Sequence, residues 1–580
     1  MAPLDYLVLV IYFLAMAGIG FWSMRRIKVQ EDFFLGGRGF GKLLQTFAAF
    51  GAGTGSADPV NTARKTFTDG ASGMWSVMYW LFVTPFYWIT AVWYRRMRHL
   101  TLGDWFVERY ESRNLGAAYA VFGVLFYVVY GSMMFSAIGK VAAPLTGIDT
   151  VMIGSSEIGI EYLLVPIIGV VVLIYGIAGG LHAAYWTDLI QGLCIILLSV
   201  LLIPFGLWAL VEEFGDTATD GVGDGFRILH EQLSPEKFDL IGGAGAEFTL
   251  TFLIGVILMN LAGIVVQPHF IATGGGSAKT EHDARVGLVV GNFLKRFCTI
   301  GWLLTALIAL ALYADDPVLA GENGDPDKTW GIASQRLLGP GLTGLMLACL
   351  LAALMSSVDA YMIVGSALIV RNIYAPFLNA HAGEREYVRL ARYTGAFVVG
   401  GGVVLSILMM DVFGQLKLTW DVNLVFAMPL WVGMYWRRAT PAAAWVTIAF
   451  AVVAIVIPSF VWPNYGLSDD WKDILPFFKI AAPLVVMIIV SLLTRKNSQQ
   501  ALDRYYAKMK TPVLPDRDED RRQLKEVLAN PEQTEHKKLF PGSSLEFQKP
   551  TPFDILGFIV CLAVCFGIVG LAWWVVQIGA

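Results

Sequence analysis

The chain has 580 residues, 56% of them hydrophobic and 15% charged, with a mean hydropathy of +0.60 and a formal net charge of −4. So apolar a composition excludes an ordinary soluble domain and defines a polytopic membrane protein. The five cysteines, Cys194, Cys298, Cys349, Cys561 and Cys565, sit in apolar runs without paired spacing, so neither a disulfide framework nor a zinc site is indicated, and no polybasic block points to nucleic acid.

Runs long enough to cross a bilayer, at ~20 residues each, fall near 4–24, 40–67, 74–94, 115–146, 161–178, 185–211, 247–268, 287–313, 339–370, 386–409, 416–436, 440–462, 474–494 and 553–578. This predicts an all-α protein of about fourteen membrane helices. The first run lacks a basic leader and a small-residue cleavage site, and reads as a retained helix. The chain divides into an extra N-terminal helix (1–30), a core of ten helices (31–438), two accessory helices (439–494), a connector (495–552) and a last helix (553–580). Arg25, Arg26, Lys28 and Arg38 follow the first run, and Arg95, Arg96, Arg98, Arg109 and Arg113 follow the third. The positive-inside rule makes those loops cytoplasmic, and the acidic loops near 212–246 and 314–335 external. Both termini are then expected outside the cytoplasm of a cell-membrane protein. The connector, rich in charge and in proline (Pro512, Pro515, Pro531, Pro541), predicts a partly ordered cytoplasmic segment with an amphipathic helix over 516–529, and no enzyme domain.

In the second run, Gly51-Ala-Gly-Thr-Gly-Ser-Ala-Asp-Pro59 places three glycines and a proline at mid-membrane, where they weaken a helix by roughly 1 and 3 kcal/mol each. The helix is expected to unwind there and restart with Asp58 as N-cap and Pro59 at the first position. Non-helical backbone at that depth survives only against a cavity or buried in protein, so its carbonyls become available to an ion or solute. A second, weaker break is expected around Asn260-Leu-Ala-Gly263. The ninth run centres on Leu351-Ala-Ala-Leu-Met-Ser-Ser-Val-Asp-Ala360. Ala353, Ser356 and Ser357 share one helical stripe, with Asp359 about a turn beyond Ser356. Two hydroxyls and nearby carbonyls suit a hard monovalent cation. On the residues alone, the alternative is that both serines bond back to carbonyls one turn earlier in their own helix.

Phe33-Phe-Leu-Gly-Gly-Arg38, Gly179-Gly-Leu-His-Ala-Ala-Tyr-Trp-Thr-Asp188 with Gln191, Gln267-Pro-His269 and Ala352-Ala-Leu-Met-Ser-Ser357 together resemble the sodium:solute symporter family, closest in motif to its proline and pantothenate branch. The resemblance implies a five-plus-five inverted repeat like that of the leucine transporter, formed by runs two to eleven. It implies a sodium site at Gly51, Thr54, Ala353, Ser356 and Ser357. Some relatives bind a second sodium through the Asp of the Trp-Thr-Asp turn and two hydroxyls past the serine pair. Here Asp188 is kept, but those two positions are Asp359 and Ala360, which makes Asp188 and Asp359 a candidate second cation site. The arginine that usually follows Gln-Pro-His is absent, with Thr273 and then Gly274, Gly275 and Gly276 in its region. Stacking aromatics that other members place in the sixth core helix are replaced by Asn260 and Ile264.

The function so implied is sodium-coupled import of a small polar organic solute, such as an amino acid, carboxylate or osmolyte, by alternating access. Candidate solute-binding residues are Thr54, Ser56, Asp58, Asn260 and Asn423, with Asp58 either meeting a substrate amine or only capping a helix. Apart from sodium as coupling ion, no cofactor is expected. Two alternatives use the same residues differently: proton coupling through Asp359 and Asp188, or a membrane sensor signalling through the connector.

Overall fold

In a computed structural model of the chain, residues 1–24, 34–148, 150–243, 245–322, 324–461 and 469–580 are described. Arg25, Arg26, Lys28 and Phe33 of the first loop lie outside them. Among the described residues each apolar run holds helix, and nine helices are each long and apolar enough to cross a membrane. An antiparallel hairpin, Thr150–Ile153 with Ser156–Gly159, joins the third and fourth core helices.

The first core helix is two pieces, Lys42–Ala52 and Ala57–Asp69. Restart occurs at Ala57, so Asp58 is the second helical residue instead of the N-cap. Its Oδ2 accepts from the bare N–H of Gly55 at 2.7 Å, doing a capping residue's work from inside the first turn. The sixth core helix also breaks, but beyond Asn260: it is regular over Leu250–Ile264 and resumes only at Phe270–Thr273. Asn260 bonds back to Val256 O in an unbroken turn. Pro268, which has no N–H to give, sits in the gap. The freed carbonyls of Val265 and Val266 accept from Tyr94 Oη at 3.0 Å and Tyr119 Oη at 2.5 Å. Interrupted helices therefore begin both groups of five, at positions one and six of the core.

The fourth and fifth core helices, Glu161–Ile174 and Gly180–Phe214, meet at Gly180, whose φ of 57° turns the chain. The seventh, Glu281–Tyr313, packs along Lys42–Ala52, and the eighth, Leu342–Leu368, along the fifth. The most apolar stretch of the eighth is wholly buried, which makes it the axis of the bundle. Arg38 ties its loop to two others by donating to the carbonyls of Gly276, Arg98 and His99. The loop it reaches is tight: a Cβ on Gly276 would lie 1.8 Å from Ile271 O.

The N-terminal helix, Pro3–Met24, is tied to the eighth core helix. Asp5 Oδ1 accepts from the N–H groups of Gly341 and Gly344 at 2.7 and 2.8 Å, capping a helix more than 300 residues away. The connector folds against the loops that carry Arg98 and Arg437 with helices Gln499–Met509 and Arg517–Ala529. Buried Glu546 pairs with Lys510, Lys538 and Arg437, Asp520 pairs with Arg98 at 2.7 Å, and Arg109 donates to Gly433 O and Trp436 O at 2.6 and 2.8 Å. Because a lost cap costs about 1 kcal/mol, Asp5→Ala should lower the apparent melting temperature of detergent-solubilised protein, and Asp5→Asn, which keeps an acceptor, should lower it less. Equal melting of all three proteins would show that the tether does not stabilise the eighth helix.

Candidate functional site

Four helices meet at the first break. Ser357 Oγ donates to Gly51 O at 3.2 Å and, more weakly, to Ala52 O at 3.5 Å, and Tyr361 Oη donates to Ala52 O at 3.2 Å. Ser356 Oγ donates to Asp188 Oδ1 of the fifth core helix at 2.5 Å. Neither serine bonds back along its own helix. Thr54 donates its N–H to Gly51 O at 3.0 Å, while its hydroxyl is buried without a partner. Ala353 is buried on the same face of the eighth helix one turn earlier. Glycine at position 51 is a steric requirement, since a Cβ there would lie 2.1 Å from Ser356 Oγ and 3.1 Å from Asp188 Oδ1. The result is a buried cluster of hard oxygens, two carbonyls, the hydroxyls of Thr54, Ser356, Ser357 and Tyr361, and a carboxylate, the kind of donor that hard cations take. Asp188 is thus drawn to Ser356, while Asp359 is buried one turn further along the eighth helix.

The candidate solute residues separate in space. Ser56 Oγ donates to Met134 O at 2.8 Å, locking the restart to the third core helix, Arg113–Thr146. Asn423, on the tenth core helix Val412–Tyr435, packs against Gly263 and leaves Oδ1 buried without a partner. Asp58 is engaged twice, by Gly55 N–H and by Lys295 Nζ at 2.9 Å. Lys295 also donates to Gly53 O. Beside the break is a cavity of about 20 Å³ whose walls include Trp80, Tyr87, Tyr130, His269, Lys295 and Arg296. Thr54, Ser56, Asp58, Asn260 and Asn423 do not line it. Sequence reasoning passed over Lys295 and Arg296, although two adjacent cations inside the run 287–313 are an intramembrane polar signal of the kind that marks a site. It also finds no aromatic at the sixth-helix positions that some relatives use for stacking, where Asn260 and Ile264 stand. The aromatics are present, but they come mostly from the second, third and eighth core helices and not from the middle of the sixth.

On the other side of the break, Arg64 ties Ala57–Asp69 to two acids, Asp411 at 2.7 Å and Asp327 at 3.2 Å. Lys65 pairs with Asp69, and Lys140 with Glu161 and Asp325.

Paired broken helices, the first beside a buried cluster of oxygens, define a secondary transporter of the inverted-repeat class. The model of the sodium:solute symporter family matches residues 33–449, and the chain belongs to that family. It is a sodium-coupled solute symporter and not an enzyme. An osmoregulated proline transporter of Bacillus subtilis is 25% identical over 507 residues, covering 84% of this chain and 94% of the relative. The sodium/proline symporter of Escherichia coli is 24% identical over 508 residues, covering 85% and 94%. A solved substrate-bound, outward-open sodium-coupled sialic acid symporter superposes with a TM-score of 0.67 at 16% identity, covering 86% of this chain and 99% of that one, which shows the shared fold.

The Arg64 contacts carry a pH dependence. Burial pushes the Asp327 carboxyl up to about 6 against the pull of Arg64, with Asp325 and Asp411 adding like charge. If this contact opens to water, Asp327 returns toward the ordinary 3.8. The closed contact then binds the proton more tightly, so acid on that side favours closure, beginning as pH falls through about 6 and complete near 4. Uptake under a fixed sodium gradient should slow when that side is taken from about pH 7 to about pH 5, and Asp327→Asn should flatten the profile. Identical profiles for wild type and variant would refute this.

Proposed function

We propose that Na⁺ binds between the first, fifth and eighth core helices, on Gly51 O, Ala52 O, Thr54, Ala353 O, Ser356 and Ser357, with Asp188 supplying the negative charge. The observation that carries this reading is that both serine hydroxyls are turned across to other helices, Ser356 to Asp188 and Ser357 to Gly51 O. A helix-bound serine normally satisfies itself on its own backbone. Sodium held this way fastens the eighth helix to the break of the first, and the break also forms one wall of the cavity, so ion occupancy and solute access are set by the same few residues. Moving the ion down its gradient then drives inward transport of a small polar organic solute by alternating access. Asp359 and Asp188 remain the candidate pair for a second cation on the release path.

The same geometry supports placing both termini outside the cytoplasm. The terminal amine of Met1 donates to Leu145 O at the far end of the third core helix. Gly579 packs against Phe226 and Arg227 in the acidic loop over 212–246.

The test is sodium dependence in proteoliposomes. Ser357→Ala should raise the half-saturating sodium concentration several-fold and Asp188→Asn by about tenfold or more, since a charged ligand is worth more than a neutral one. Solute affinity at saturating sodium should stay nearly unchanged in Ser357→Ala. Unaltered sodium dependence in Ser356→Ala and Ser357→Ala together would remove the site.

A further inference from the structure

Arg296 is a buried guanidinium with no salt bridge among the described residues; the carboxylate that acts on it, Asp58, is itself paired with Lys295. Arg296 is 1% exposed, near mid-helix in the seventh core helix, and lines the cavity beside the break. Its Nη1 donates to Val77 O at 2.6 Å, and its Nε is buried without a partner. Among the described residues no carboxylate lies within ion-pair distance of it. The neighbouring cation differs: Lys295 is held by Asp58 and Gly53 O, so its charge is matched and its position serves the break. With the three groups ionised, the site carries one unit of positive charge in excess, away from water. A buried charge of that kind is expensive unless something pairs with it.

The rest of the lining has the same polarity. Tyr87 Oη and Gln267 Nε2 are buried, have no partner and border the same cavity, as does His269, whose Nδ1 is unpartnered. The first two can donate, as can Arg296 Nε, whereas no aspartate or glutamate lines the cavity. Trp80, Tyr130 and Phe270 add aromatic surface to the same lining. At about 20 Å³ the closed cavity has room for roughly one water, so a solute enters only when the walls part.

We infer that the solute is a small organic monocarboxylate whose carboxylate pairs with Arg296, assisted by Gln267 and Tyr87, while its short apolar body lies against Trp80, Tyr130 and Phe270. The inference rests on the symport reading and narrows its solute class. Planar carboxylate and planar guanidinium make parallel charge-assisted hydrogen bonds, which no neutral solute reproduces. A zwitterion fits less well: its ammonium would need a carboxylate, and Asp58 is already committed to Lys295 and to Gly55 N–H.

Thermal shift of the full-length protein in detergent tests this, with sodium or choline as cation. The probes are unbranched and branched monocarboxylates of two to six carbons together with pyruvate and lactate, the matching neutral amides, and L-proline as zwitterion. Sodium alone should stabilise wild type, and carboxylates should stabilise it further in sodium only, with amides inert and proline weaker than the best carboxylate. Arg296→Gln should weaken carboxylate binding by about tenfold or more, with Arg296→Lys intermediate, while both keep the sodium shift. A merely structural Arg296, holding Val77 O, would instead lose the sodium shift and the carboxylate shift together. The inference is overturned if no carboxylate shifts wild type, if amides or proline do so better, or if Arg296→Gln retains carboxylate binding. The symport reading fails separately, and visibly so, if sodium alone does not stabilise wild type more than it stabilises Ser357→Ala.

Discussion

Everything in this molecule turns on how the backbone between Ala52 and Ala57 is satisfied. A helix interrupted in a membrane leaves carbonyls and N–H groups that lipid cannot solvate, each costing several kcal/mol if left alone. Here they are taken up by side chains from other helices: Ser357 and Tyr361 from the eighth, Lys295 from the seventh, and Asp58 from the restart itself. The bonds from Ser357, Tyr361 and Lys295 each join the first core helix to another helix, while that of Asp58 closes the break on itself. On the proposed sodium reading, the chemistry that keeps the break stable is also what the ion has to compete with.

The sixth core helix solves the same problem with different chemistry. Its two free carbonyls are capped by tyrosines of the second and third core helices, neutral donors that offer no site to a cation. The two breaks are thus alike in fold and different in chemistry: a carboxylate, two serines and a lysine surround the first, whereas tyrosines cap the second.

The first break was legible because glycine and proline act locally: Gly51 to Pro59 cannot sustain a helix whatever surrounds them. The serine stripe was legible from periodicity. The second break was placed too early, at Asn260, because a polar residue inside an apolar run looks like an interruption. The real gap is set by Pro268 and by tyrosines 171 and 147 residues away in the chain, which no local pattern reveals. Lys295 and Arg296 were visible as letters, but an average over a long apolar run hides two charges. Their meaning is tertiary as well. Lys295 reads as structural only once Asp58 and Gly53 are seen beside it, and Arg296 as functional only once it is seen to have no salt bridge among the described residues. Asp58, which the sequence leaves open between cap and amine ligand, is engaged in space by Gly55 N–H and by the same lysine.

The connector gives this arrangement a fixed frame. Arg109, on the loop between the second and third core helices, donates to Gly433 O and Trp436 O at the end of the tenth, and Tyr506 of the connector donates to Gly433 O as well. Glu546 brings Lys510, Lys538 and Arg437 onto one carboxylate, and its own N–H bonds Tyr435 O at 2.8 Å. With this many buried, mutually supporting contacts, these helix ends and the connector behave as one piece. Rearrangement then has to occur where helices are joined by few bonds, at Lys295 with Asp58, at Ser357 with Gly51 and at Arg64 with its two acids. Those contacts lie at the break or on the half-helix that follows it. A packed, bistable interface changes state when a few such contacts exchange partners, and an ion and an anionic solute are ligands able to shift them, because each binds one arrangement better than the other.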